Sequence, residues 1–138
     1  KMQWLMLQQD EPEDFVIATG NQYSVRDFIS FTAEHMGIEI IFKGSGIDEV
    51  GVVGEFDKKN NPGLKKGEEI IKIDPRYFRP SEVNSLLGDA SKAKKKLGWS
   101  PSISINELCK EMIDEDLQIA KRDKLLLKSG YSIVKPEQ

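Results

Sequence analysis

The hydrophobic period changes twice between Phe15 and Phe42, and this switch constrains the fold more than any other feature of the chain. Phe15-Val16-Ile17-Ala18 is a short apolar, β-branched run that ends in the turn-forming Thr19-Gly20-Asn21, the pattern of a buried strand entering a tight loop. Ser24 stands three residues before Asp27, where its hydroxyl can take an orphan backbone N–H. Val25, Phe28, Ile29, Ala33 and Met36 then share one helical stripe that stops at Gly37. Ile38, Ile40, Ile41 and Phe42 suggest a second strand. A strand, a helix and a strand in that order predict an α/β unit whose helix crosses between parallel strands.

Beyond Lys43 the pattern weakens. Val50 to Phe56 and Ile70 to Ile73 read as strands separated by the loop Lys58-Lys59-Asn60-Asn61-Pro62-Gly63, which predicts a hairpin within a long irregular excursion. Asp89 can cap a helix that runs to Leu97, with Gly98 past its end. Ser104 and Glu107 have capping-box spacing, and Ile105, Leu108, Cys109, Met112, Ile113, Leu117 and Ala120 recur on one face of a last long helix. No repeat and no long linker divides the chain, so its 138 residues predict one domain, 1–138. Met2, Trp4, Leu5, Met6 and Leu7 cover nearly every side of a helix, so residues 1–9 read as the end of a helix from a preceding part, packed on several faces there.

Composition removes several function classes. The 20 Lys and Arg are interleaved with 23 Asp and Glu, so no basic face is available for nucleic acid. No apolar run approaches the roughly 20 residues that span a bilayer, so a membrane is not expected as a partner. Cys109 is the single cysteine, which leaves no internal disulfide and favours a reducing compartment, hence the cytoplasm.

Candidate chemistry is concentrated in Asp74-Pro75-Arg76-Tyr77-Phe78-Arg79-Pro80-Ser81-Glu82-Val83, where two prolines stiffen a segment carrying two arginines, a tyrosine and a carboxylate. Arg76 or Arg79 could grip a phosphate through the planar guanidinium, and Glu82 could accept hydrogen bonds from ribose hydroxyls or a base edge. That combination suits a nucleoside diphosphate. The competing reading pairs both arginines with Asp74 or Glu82 on the surface for little net stability. Other candidates carry less. Tyr131 to Lys135 has a Tyr-x-x-x-Lys spacing but follows Gly130 at the end of the chain, so a terminal strand or tail is expected. His35 reads as a solvated helix residue, Cys109 as a core residue, and Lys92, Lys94, Lys95 and Lys96 as a solvated face.

Asp10 to Gly20, Tyr23 to Phe28 and Arg76 to Val83 resemble the corresponding stretches of GDP-mannose 4,6-dehydratases. Leu87 to Pro101 is similar to a block shared more widely among extended short-chain dehydrogenases. The stretch that departs most is Gly44 to Gly67, notably Lys58-Lys59-Asn60-Asn61, and no function is carried onto it. The resemblance implies the smaller, substrate-binding α/β domain of such an enzyme, without most of its Rossmann domain. It implies that Arg79 contacts the diphosphate of GDP-mannose, that Glu82 contacts the ribose or its neighbourhood, and that Arg76 is a weaker contact. It also implies an NADP-dependent conversion of GDP-mannose to GDP-4-dehydro-6-deoxymannose by a homo-oligomer.

The family's Gly-rich dinucleotide loop, its Thr and Glu pair and its Tyr-x-x-x-Lys would precede Lys1. Lys43-Gly44-Ser45-Gly46 is no substitute, because it is not expected to lead from a strand into a helix. The chain is therefore expected to hold nucleotide sugar without performing redox chemistry. A non-catalytic GDP-sugar-binding module and a structural fragment are the rival readings.

Overall fold

The computed structural model describes residues 1–79 and 86–133. It contains helices α1 (Met2–Met6), α2 (Val25–His35), α3 (Ser91–Leu97) and α4 (Ile105–Lys128), and strands β1 (Ile38–Lys43), β2 (Val50–Phe56) and β3 (Glu69–Lys72). The strands form one sheet in the order β1-β2-β3, antiparallel throughout.

Among the described residues the expected parallel crossover is therefore absent. Phe15 to Ala18 does not form a strand, because no described strand runs beside it to complete a hydrogen-bonded ladder, and Val16 and Ile17 are half exposed. β1 instead pairs with β2 through the short connection Gly44 to Glu49, far below the dozen or so residues that a parallel return needs. Gly44 permits this reversal: it sits at φ +81°, and a Cβ there would lie 2.6 Å from the carbonyl oxygen of Asp48.

The hairpin expected between β2 and β3 is present, with β3 one residue earlier than expected. β1 alternates, with Ile38, Ile40 and Phe42 inward and Glu39, Ile41 and Lys43 outward, as an edge strand with one covered face should. The middle strand is buried at four successive positions, Gly51 to Gly54. α2 covers the inward face, so that Ala33, Ile38 and Val53 form the core, with Met36, Ile40, Phe56 and Leu64 packed around it.

A bulge interrupts the β1–β2 ladder, where Ile38 pairs with Phe56 but Ile40 with Val53. The Glu55 N–H donates to the Glu39 carboxylate at 2.9 Å, and the Glu39 side chain lies so close over Gly54 that a Cβ there would collide with its carboxylate. The Lys58-to-Asn61 stretch is tied to the end of α2: Asn61 Nδ2 donates to the Met36 carbonyl at 2.8 Å, satisfying an orphan acceptor at the helix end.

Both long helices start where the sequence expects. Ser24 and Ser104 each accept the backbone N–H three residues on, while Asp27 and Glu107 accept the cap residue's own N–H at 2.8 and 2.7 Å. Hydrogen bonds from Ser24 and Ser104 hold both carboxyls below their usual pKa. A carboxyl whose folded pKa is depressed stabilises the fold above its unfolded pKa, and that contribution disappears as the pH falls through the folded value. Ser104→Ala is expected to lower unfolding stability by about 1 kcal/mol at neutral pH. It should also reduce the acid sensitivity below pH 4.5, the ordinary value for Glu107, in urea titrations run across pH.

α4 crosses α2, and Cys109 on α4 is completely buried. His35, expected to be solvated, is exposed yet holds this crossing: its Nε2 lies 3.1 Å from the Asn106 carbonyl oxygen, so the Nε2–H tautomer donates to it. α1 has five residues; Met2 is buried, while Trp4 and Leu7 are exposed. Tyr131 is exposed, and the rest of the Tyr131-to-Lys135 spacing reaches outside the described residues. Among the described residues, no helix is long and apolar enough to cross a membrane.

Candidate functional site

The arginine-bearing loop begins where β3 ends, and its first turn is built by Asp74 and Pro75. Proline fixes φ near the value required at the second position of a β-turn, and an aspartate at the first position can bond its own backbone two residues on. Both occur. The Tyr77 N–H donates to the Asp74 carbonyl at 3.0 Å, and the Arg76 N–H donates to Asp74 Oδ1 at 2.9 Å.

The same carboxylate holds the Arg76 side chain. Nε lies 3.1 and 3.0 Å from the two carboxylate oxygens and Nη2 lies 2.6 Å from Oδ2, while the guanidinium stacks 5.5 Å from the Tyr77 ring centre. The pair shifts both groups: Arg76 lowers the Asp74 pKa, and Asp74 raises that of Arg76. Arg76 remains 78% exposed, so this ion pair contributes little to stability; what it does is set the direction of the guanidinium. Arg79 lies exposed at the end of this described stretch, and Glu82 falls outside the described residues.

A second construction joins Asp10 to Gly20 and Leu87 to Pro101, two of the stretches quoted above. Glu13 is held by Lys92, with Nζ 2.9 Å from Oε2, and by Lys96, one helical turn further along α3. Hydrogen bonds from Lys96 and Lys92 depress the Glu13 pKa. Lys92 also donates to the Asp14 carbonyl at 2.8 Å and sits 4.9 Å from the centre of the Phe15 ring. The lysine cluster is thus not simply a solvated face. Lys92 and Lys96, four residues apart, clamp α3 onto the preceding segment, and that spacing was the sequence signal for a shared partner.

The cap position of α3 is Ala90 and not the expected Asp89, whose Oδ1 instead accepts the Ser91 N–H at 2.8 Å from one residue further out. Gly98 closes the helix at φ 62°. Between the two segments lies an open cleft of about 330 Å³ lined by Thr19, Gly20, Asp89, Lys94 and Trp99.

With that geometry in view, the relatives are decisive. The family described as GDP-mannose 4,6 dehydratase matches residues 1–112, which include the clamp, the sheet and the arginine loop. The chain belongs to the GDP-mannose 4,6 dehydratase family. It is 55% identical over 133 residues to GDP-mannose 4,6-dehydratase of Vibrio cholerae, covering 96% of this chain and 36% of that protein. The corresponding protein of Yersinia enterocolitica is 53% identical with the same coverage, and the human GDP-mannose 4,6 dehydratase is 42% identical over 118 residues, 29% of its length. The chain thus spans 36% of its bacterial dehydratase relatives and, as a family member, displays a mixed α and β unit with a three-stranded antiparallel sheet.

The Gly-containing stretch Lys43 to Gly46 does not provide a dinucleotide cradle. It does leave a strand, but it enters a single 3₁₀ turn of three residues, and Gly44 is closed over by the Asp48 carbonyl. Its glycines serve the hairpin.

Proposed function

We propose that this chain forms part of the sugar-nucleotide side of a cytoplasmic, homo-oligomeric GDP-mannose 4,6-dehydratase, the enzyme that converts GDP-mannose to GDP-4-dehydro-6-deoxymannose. The observation that carries this reading is the Asp74-Pro75-Arg76 turn, which stiffens and aims a loop bearing two guanidiniums in a chain of this family. Arg79 takes the diphosphate, Glu82 the ribose or its neighbourhood, and Arg76 is a subsidiary contact. A guanidinium fork matches two phosphate oxygens at once, and a carboxylate accepts from vicinal hydroxyls.

The reaction needs a hydride taken from the sugar C4 and returned at C6, with water lost across C5 and C6. NADP carries that hydride, and an acid/base pair performs the elimination. In this reading both functions belong to the part of the relatives that this chain does not cover. The chain alone is expected to bind without turnover.

Calorimetric titration with GDP, GDP-mannose and UDP tests the proposal. Saturable binding of the two guanosine ligands without turnover supports it, whereas equal affinity for UDP or no binding by the folded chain contradicts it for this chain alone. Asp74→Asn refines the test. Asparagine retains an oxygen for the Arg76 N–H but loses the charge that engages the guanidinium, so GDP affinity is expected to rise if Arg76 contributes, and the gain should shrink as salt is added.

A further inference from the structure

We propose that Arg76 and Tyr77 form a stacking platform for the purine base of the bound nucleotide, so that Arg76 meets the base with its plane while Arg79 takes the diphosphate. The inference rests on the nucleotide-loop reading above and assigns, within it, the part of the ligand that Arg76 recognises.

A guanidinium offers a ligand two kinds of surface, its N–H edge and its flat face. At Arg76 the edge carrying Nε and Nη2 is taken by Asp74: Nε lies 3.1 and 3.0 Å from the two carboxylate oxygens, and Nη2 lies 2.6 Å from Oδ2. The N–H groups that remain sit beside that carboxylate, whose charge opposes the approach of a second anion. A phosphate is therefore a poor partner for Arg76. A purine base meets neither obstacle, because it is uncharged and stacks on the guanidinium plane without using the edge.

The plane is also fixed before any ligand arrives. Asp74 Oδ1 accepts the Arg76 N–H at 2.9 Å, so one carboxylate holds both the backbone and the side chain of this residue. The Tyr77 N–H donates to the Asp74 carbonyl at 3.0 Å, and the Tyr77 ring backs the guanidinium with its centre 5.5 Å away. Ordering a long side chain normally costs affinity, and here Asp74 and Tyr77 have ordered it already. Preorganisation of a flat group suits a flat ligand.

Spacing along the loop agrees. Arg76 and Arg79 are three residues apart, at most about 11 Å of extended backbone. In a nucleoside diphosphate one ribose separates the base from the phosphates, so one short loop addresses both ends of the ligand. A stacking surface discriminates by area, and the two fused rings of a purine cover more of it than the single ring of a pyrimidine.

Calorimetric titration of the full chain with GDP, UDP and inorganic pyrophosphate tests the proposal, with circular dichroism confirming the fold of each variant. Arg76→Lys retains a cation for Asp74 and removes the plane. GDP is then expected to bind about tenfold more weakly, a loss within the range usual for an unstacked base. UDP should lose less, and pyrophosphate should bind as it does to the wild type. Tyr77→Leu leaves Arg76 and Asp74 in place but removes the ring behind them, so it should weaken GDP about threefold and again spare pyrophosphate. Disorder of the whole loop would not give this split, because a displaced Arg79 would cost pyrophosphate as well. Pyrophosphate falling in step with GDP in Arg76→Lys would make Arg76 a phosphate ligand, and undiminished GDP binding in that variant would leave the base without a platform. Either result overturns the proposal and leaves the assignment of Arg79 standing. A wild-type chain that binds neither GDP nor pyrophosphate overturns that assignment and the platform with it.

Discussion

Arg79→Ala is expected to weaken binding of GDP and GDP-mannose by about tenfold to a hundredfold, the loss typical of removing a charge-assisted, bidentate contact to phosphate. The size of the effect follows from how the loop is built. Arg76 is already committed to Asp74 through Nε and Nη2, so it cannot replace Arg79 without breaking that pair. Arg79→Lys separates geometry from charge. A lysine retains the positive charge but not the planar fork, so it should recover only part of the affinity. Calorimetry at two salt concentrations reads both effects, and full affinity in Arg79→Ala would remove this residue from the site. Stability should hardly change, because Arg79 is exposed.

The second large effect is structural. Gly88→Ala is expected to destabilise the chain by about 1 to 3 kcal/mol, the usual consequence of forcing an extra methyl into a filled contact. A Cβ at Gly88 would lie 2.6 Å from the Ala18 Cβ and 3.3 Å from Val16 Cγ1. Ala18 has no rotamer to move aside, so the backbone must give. The strain would oppose the clamp by which Lys92 and Lys96 hold Glu13, and the cleft between the two segments should open with it. Gly63→Ala is the matched control, since nothing lies within 4 Å of a Cβ placed there. Urea denaturation of both variants decides the matter: a Gly88→Ala midpoint equal to that of Gly63→Ala would show that the two segments do not press on each other in solution.

Much of the helical architecture was legible from local chemistry. The starts of α2 and α4 were written in Ser24 with Asp27 and Ser104 with Glu107, and the ends of α2 and α3 in Gly37 and Gly98, because caps and left-handed stops depend on residues within one turn. The strands β1, β2 and β3 were legible as apolar runs bounded by turn residues. Their direction was not. A strand pattern records which side chains are buried and leaves open which neighbour supplies the ladder, so Ile38 to Phe42 was paired in expectation with Phe15 to Ala18 and in the structure with Val50 to Phe56.

The proposed nucleotide site is legible only as a motif. Two prolines around two arginines suggested a stiff phosphate-binding loop, and family membership supports where to look for it. That Asp74 would both close the turn and hold Arg76 needed coordinates, since an Asp two residues before an Arg is equally compatible with a solvated side chain. The Lys92 and Lys96 grip on Glu13 spans more than 75 residues of sequence, and no local rule connects its ends.

The sequence by itself determined the starts of α2 and α4, the ends of α2 and α3, the apolar stripes and, through three quoted stretches, the family. These properties arise from interactions within a few residues or from the order of the residues themselves. Only the tertiary structure decided that the sheet is antiparallel, that Phe15 to Ala18 forms no strand, and that a lysine cluster serves as a clamp. Each of these depends on which distant segment comes alongside, and the pairing is fixed by loop length, by side-chain volume at Gly44 and Gly88, and by the buried contact of Ala33, Ile38 and Val53.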